Sequence, residues 1–167
     1  MHSKNFLNVL FGLLVSGQVF AESIVIDEKV IFAEGSDVPA AVINECELET
    51  KFTHFLNEYI SDRGFTVIKA NAEQASGIAK HLHIEIDRVS GGGGGAWTGG
   101  KMVHAIGTLT ENGKEIASFK VQRSSSGGAF GAFKGTCSLL GRDVKAMAKD
   151  VSVWLKSPSK DGRLGEL

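Results

Sequence analysis

Four residues able to bind a metal or move a proton recur at every second position in His81-x-His83-x-Glu85-x-Asp87. On an extended strand, side chains two apart share a face. His81 and His83, with Glu85 or Asp87 as a third ligand, therefore form a candidate Zn or Cu site. The plainer reading is a solvated strand face that contains two histidines. A second candidate is the run Gly91–Gly95, which invites a phosphate-cradle reading. Such cradles join a strand to a helix N-terminus and carry a Lys-Ser/Thr pair or a downstream acid. This run lies between two strand-like segments, so a loop presenting Trp97 as a contact residue fits better, because binding residues concentrate on loops. Ser124-Ser125-Ser126 with Lys134 can be drawn as a Ser–Lys dyad, yet serines beside glycines are ordinary loop composition. No Gly-x-Ser-x-Gly elbow, His-Glu-x-x-His helix or paired-carboxylate motif is present, so the sequence nominates no catalytic residue and no cofactor.

The elements that position these residues follow from periodicity. Ile24–Phe32 is rich in β-branched residues and reads as a strand. From about Val42 to Arg63, Cys46, Leu48, Phe52, Phe55, Leu56, Tyr59 and Ile60 recur at helical steps, with Gly64 as the stop. Phe65–Ile68 restarts the strand signal. From about Ile78 to Val89, Leu82, Ile84 and Ile86 alternate with the polar row of His81, His83, Glu85 and Asp87. Strands over about 101–110 and 114–123 flank Asn112-Gly113, a hairpin turn whose two residues tolerate positive φ. Counting outward from that turn pairs Thr108 with Ala117, Ile106 with Phe119 and His104 with Val121, which points His104 inward. A last amphipathic helix runs from about Cys137 to Lys156 and stops at Ser157-Pro158. Residues 159–167 read as a mobile polar tail.

The order β-α-β-β-β-β-α predicts an α+β two-layer sandwich, a mainly antiparallel sheet with two helices packed on one face. The loop over 90–100 precedes the hairpin and that over 124–136 follows it. Both belong at the end opposite Asn112-Gly113, where Trp97, Phe130 and Phe133 would form one apolar patch. Such patches mark partner contacts, and the alternative is that Phe130 and Phe133 are core.

Composition sets the class. At 167 residues, 43% hydrophobic and 22% charged, the chain reads as folded rather than disordered. A net charge of -1 lacks the basic footprint of a general nucleic-acid binder. Lys4, the apolar run Phe6–Val15 and the triplet Val19-Phe20-Ala21 have the layout of a secretory signal peptide cleaved after Ala21. This leaves one domain over 22–158 and no further run long enough to span a bilayer. Export to the periplasm, or alternatively secretion, places Cys46 and Cys137 where disulfides persist. Both fall near helix starts, so a Cys46–Cys137 bridge sets the two helices side by side.

From Ile84 to Leu155 the sequence has an acidic strand end, a glycine-rich loop, an Asn112-Gly113 hairpin, and Gly127-Gly128-Ala129-Phe130-Gly131 before an Ala-containing helix ending Val153-Trp154-Leu155. This resembles a family of small exported bacterial envelope domains of unknown function, often lipoproteins. Their fold is similar to the amino-terminal domain of the Tol-system periplasmic protein and to the periplasmic domain of the curli secretion channel. The chain departs from many such relatives in lacking a lipid-acceptor Cys. The resemblance implies a non-catalytic binding or assembly module. Its partner is an envelope protein or a second copy, and membrane contact is compatible but not required.

Overall fold

The structure, a computed structural model, describes residues 21–71, 74, 80–91, 100–125 and 135–167. Its elements are β1 (Ser23–Asp27), β2 (Ile31–Asp37), α1 (Ala40–Glu45), α2 (Leu48–Asp62), β3 (Thr66–Ala70), β4 (Lys80–Ser90), β5 (Lys101–Glu111), β6 (Lys114–Ser125), α3 (Thr136–Trp154) and β7 (Gly162–Gly165). The fold is α+β: a mixed seven-stranded sheet in the order β3-β1-β4-β5-β6-β7, with β2 also against β4. The long pairings, β4–β5 and β5–β6, are antiparallel, while the short flanking ones are parallel.

The predicted first strand divides at Glu28-Lys29. The Val30 amide donates to Thr53 Oγ1 of α2 at 2.8 Å, which takes it out of the sheet ladder. β1 and β2 then lie one after the other along the same edge of β4, beside His81–Leu82 and Glu85–Arg88 respectively. The predicted first helix also divides. Glu47 adopts φ 49, a left-handed conformation, between α1 and α2.

α2 and α3 lie side by side over one face of the sheet, tied by the Cys46–Cys137 disulfide across 91 positions. Phe52, Leu56 and Ile60 of α2 and Leu140, Val144, Met147 and Val151 of α3 are buried against Ile84, Val103, Leu109 and Val121. Phe119 meets Trp154 edge-on at 4.7 Å between ring centroids. Its ring lies directly over Gly107, where a Cβ would come within 2.2 Å of it.

Two expectations are corrected. The Asn112-Gly113 turn has both residues at positive φ as predicted, and Glu111 pairs with Lys114. A bulge then inserts Ile116, so Leu109 faces Ala117, Gly107 faces Phe119, and His104 faces Gln122 rather than Val121. Because strand side chains alternate, that one-residue shift turns Met102, His104 and Ile106 to the face away from the helices. His104 therefore points outward. The tail is not simply loose: Gly162–Gly165 forms β7, pairing in parallel with Phe119–Gln122 of β6.

Candidate functional site

Three places on this frame gather polar chemistry. The first is the base of the two glycine-rich segments. Lys101 pairs with Ser125 and Ser90 with Met102, at the end of the hairpin opposite Asn112-Gly113. Trp97, Phe130 and Phe133 lie outside the described residues. Lys101 is fully buried and folds its stem over Gly91. A Cβ at Gly91 would meet Lys101 Cδ at 2.2 Å, and φ there is +108°, so glycine is required on both counts. Ser125 donates its hydroxyl proton to Asp143 Oδ1 of α3. Asp143 is 2% exposed, and its Oδ2 has no hydrogen-bond partner among the described residues. Burial pushes its carboxyl up to about 7, opposed by the Ser125 hydrogen bond and reinforced by the nearby Glu166 charge. Ser125 thus donates to a buried carboxyl, and Ser126 and Lys134, the other members of the drawn dyad, lie outside the described residues.

The second place is the polar row of β4. His81, His83 and Glu85 share the open face, as the alternation predicts. The parallel strand β1 adds Asp27, which sequence spacing did not reveal. Asp27 Oδ1 lies 2.8 Å from His81 Nε2, and Asp27 Oδ2 lies 2.6 Å from His83 Nδ1. The other ring nitrogen of His83 is 3.1 Å from Glu85 Oε1. With a carboxylate on each nitrogen, His83 donates twice and is held as an imidazolium. The Asp27 hydrogen bond raises it to about 9 against the opposing cost of burial. Burial acts to raise the Asp27 carboxyl, but the bonds from His83 and His81 hold it below its ordinary 3.8. A metal here would have to displace a proton from His83, whose two ring nitrogens both meet carboxylates. Among the described residues, no group of three or more His, Cys, Asp or Glu is arranged to hold a metal ion.

The third place is a concavity of about 830 Å³ on the open face between β4 and β7. A second bulge makes Asp87 the extra residue opposite β5, so Asp87 and Arg88 both turn toward this face. Asp87 Oδ1 sits 2.5 Å from His104 Nδ1. Ile106, Lys120, Arg163 and the C-terminal Leu167 complete much of the wall.

Some of these residues were within reach of sequence reasoning. Asp143 lies three positions after Leu140, on the apolar stripe of α3, and a carboxylate there is the signal of a buried polar contact. Asp27 and Arg163 carried no such signal, because each reaches its neighbours only through a parallel pairing set by tertiary structure.

No family model matches the chain, and no curated protein matches it. Several solved structures are similar in fold at low identity. A PelC dodecamer from Paraburkholderia phytofirmans is 11% identical with a TM-score of 0.49, covering 77% of this chain and 87% of that one. A minor lipoprotein from Acinetobacter baumannii is 12% identical with a TM-score of 0.47, covering 84% and 96%. A lipoprotein from Neisseria meningitidis is 17% identical with a TM-score of 0.45, covering 79% and 99%. None of these three reaches a TM-score of 0.5, and the assignments that follow rest on this chain's own residues.

Proposed function

We propose that this chain is an exported, non-catalytic binding module of the bacterial envelope. It contacts a protein partner, or a second copy of itself, through the region of Trp97, Phe130 and Phe133. The observation that carries this reading is the register at the base of the glycine-rich segments. Ser90, Lys101 and Ser125 are neighbours across β4, β5 and β6, so the described residues on both sides of 92–99 and those just before 126–134 lie at one end of the sheet. The Cys46–Cys137 disulfide supports an oxidising compartment, the periplasm or the exterior, which agrees with the signal-like N-terminus. Among the described residues, no helix is long and apolar enough to cross a membrane.

The test is alanine at Trp97, Phe130 and Phe133 together. Crosslinking in the intact envelope reads partner capture, and sedimentation velocity of the purified protein reads self-association. The expected result is at least a tenfold loss in whichever contact the wild type makes, as for a buried aromatic hot spot. The melting temperature stays nearly unchanged. Capture and self-association that both survive the triple change would overturn the reading, as would a wild type that makes neither contact.

A further inference from the structure

The open face carries charges that the fold does not need. Lys120 of β6 and Arg163 of β7 are register partners in a parallel pairing, and both are exposed. Like charges directly opposite across strands destabilise a sheet. Among the described residues, neither has a carboxylate within ion-pair distance, and the same holds for Arg88 on β4. All three line the same concavity, whose volume of about 830 Å³ is that of a small-molecule site. Its two side-chain carboxylates are differently placed: Asp87 is committed to His104, and Asp161 stands at the rim beside β7. Ile106, 36% exposed, pairs with Lys120 and gives the floor an apolar centre between the cations.

We propose that this concavity is an anion-binding site in which Lys120, Arg163 and Arg88 grip the phosphate or carboxylate groups of a small polyanionic ligand. A sheet that sets two cations side by side with no carboxylate in ion-pair distance among the described residues lowers its own stability, and a bound anion removes that repulsion. Arg88 comes to the site through the β4 bulge, which turns two consecutive residues to one face. Arginine offers a planar fork for an oxyanion and lysine a mobile point charge, so the trio suits a ligand with more than one anionic group. A phosphorylated lipid headgroup and an acidic saccharide share that chemistry. The site is independent of the aromatic segments and stands or falls apart from them.

The experiment is calorimetric titration of the oxidised wild type with inorganic pyrophosphate and, separately, with digalacturonate at low and high salt. Lys120→Glu, Arg163→Gln and, on the helical face, Lys149→Glu are titrated in parallel. Binding is expected to weaken as salt rises and to fall at least tenfold in Lys120→Glu and Arg163→Gln. Lys149→Glu should stay within about twofold, as screening of a distant surface charge implies. Lys120→Glu should also melt at or above the wild-type temperature, because it turns a like-charge pair into an opposite one. Pyrophosphate binding alone assigns a phosphate-bearing ligand, digalacturonate binding alone assigns an acidic saccharide, and binding of both assigns a general polyanion site. Binding of neither, or binding unchanged in Lys120→Glu and Arg163→Gln, overturns the proposal.

Discussion

The two faces of one sheet are built by different physics. Beneath α2 and α3, Val103, Ala105, Leu109, Phe119 and Val121 are almost entirely withdrawn from water. On the other side, β1, β4 and β5 carry Asp27, His81, His83, Glu85, Asp87 and His104, each hydrogen-bonded to another of these six. The covered face draws its stability from apolar area, roughly 25 cal/mol for each Å² removed from water. The open face replaces that with paired charge, where much of each gain is returned as desolvation. Stability is therefore concentrated on one side, which leaves the other free to hold charge for a ligand.

The largest effect should come from cutting into the covered side. Phe52 of α2 is fully buried between the helices and the sheet. Phe52→Ala should cost about 3–5 kcal/mol in urea unfolding, as for large-to-small changes in a packed core. Ile106→Ala, on the open face, should change it by no more than about 0.5 kcal/mol. Equal losses at the two positions would break the contrast and show that something covers Ile106.

Gly107 sharpens the comparison, because the covered face leaves no room for even a methyl group there. A methyl group there points into the Phe119 ring, which is packed in turn on Trp154. Gly107→Ala should destabilise by about 1–3 kcal/mol through overpacking. Gly107→Ala combined with Phe119→Leu, which gives the methyl room, should lose less than the sum of the two single changes. Strict additivity would mean that the contact is relieved by the backbone instead.

Much of this division was legible in the sequence, and the failures share a cause. The alternation of Leu82, Ile84 and Ile86 with His81, His83 and Glu85 assigned the faces of β4 correctly, since both periods were unbroken. The Asn112-Gly113 turn and the Cys46–Cys137 bridge were equally readable, because turn chemistry and redox compartment are local or compositional facts. His104 went to the wrong face because Ile116, a residue like its neighbours, is looped out as a bulge. β7 was missed for a related reason. Gly162-Arg163-Leu164-Gly165 has little strand propensity, and it is ordered by the edge that β6 offers rather than by its own residues. Parallel neighbours such as Asp27 beside His83, or Arg163 beside Lys120, depend on crossovers that no window of sequence contains.

The dependence of stability on pH also separates the two faces. Asp143, under the helices, has its carboxyl raised to about 7 because burial disfavours its charge. The folded state therefore holds that proton more tightly than the unfolded chain does. Stability from this site falls as pH rises from about 4 to about 7. Asp143→Asn should flatten that limb and gain about 1–3 kcal/mol at pH 8, the usual cost of a buried group left short of a partner. His83, on the open face, is also raised, to about 9, but for the opposite reason: Asp27 and Glu85 favour its charged form. Its contribution is complete below the unfolded value near 6.5 and is lost as pH climbs through about 9. Since the His83 side chain is 37% exposed, solvent screens the pair, and His83→Gln should remove a limb of less than about 1 kcal/mol. Circular-dichroism melts from pH 4 to pH 10 should show the two limbs in sequence, each erased by its own substitution. A single limb erased by either change would mean that the two faces titrate as one unit, and that the sheet between them does not insulate the open side from the core.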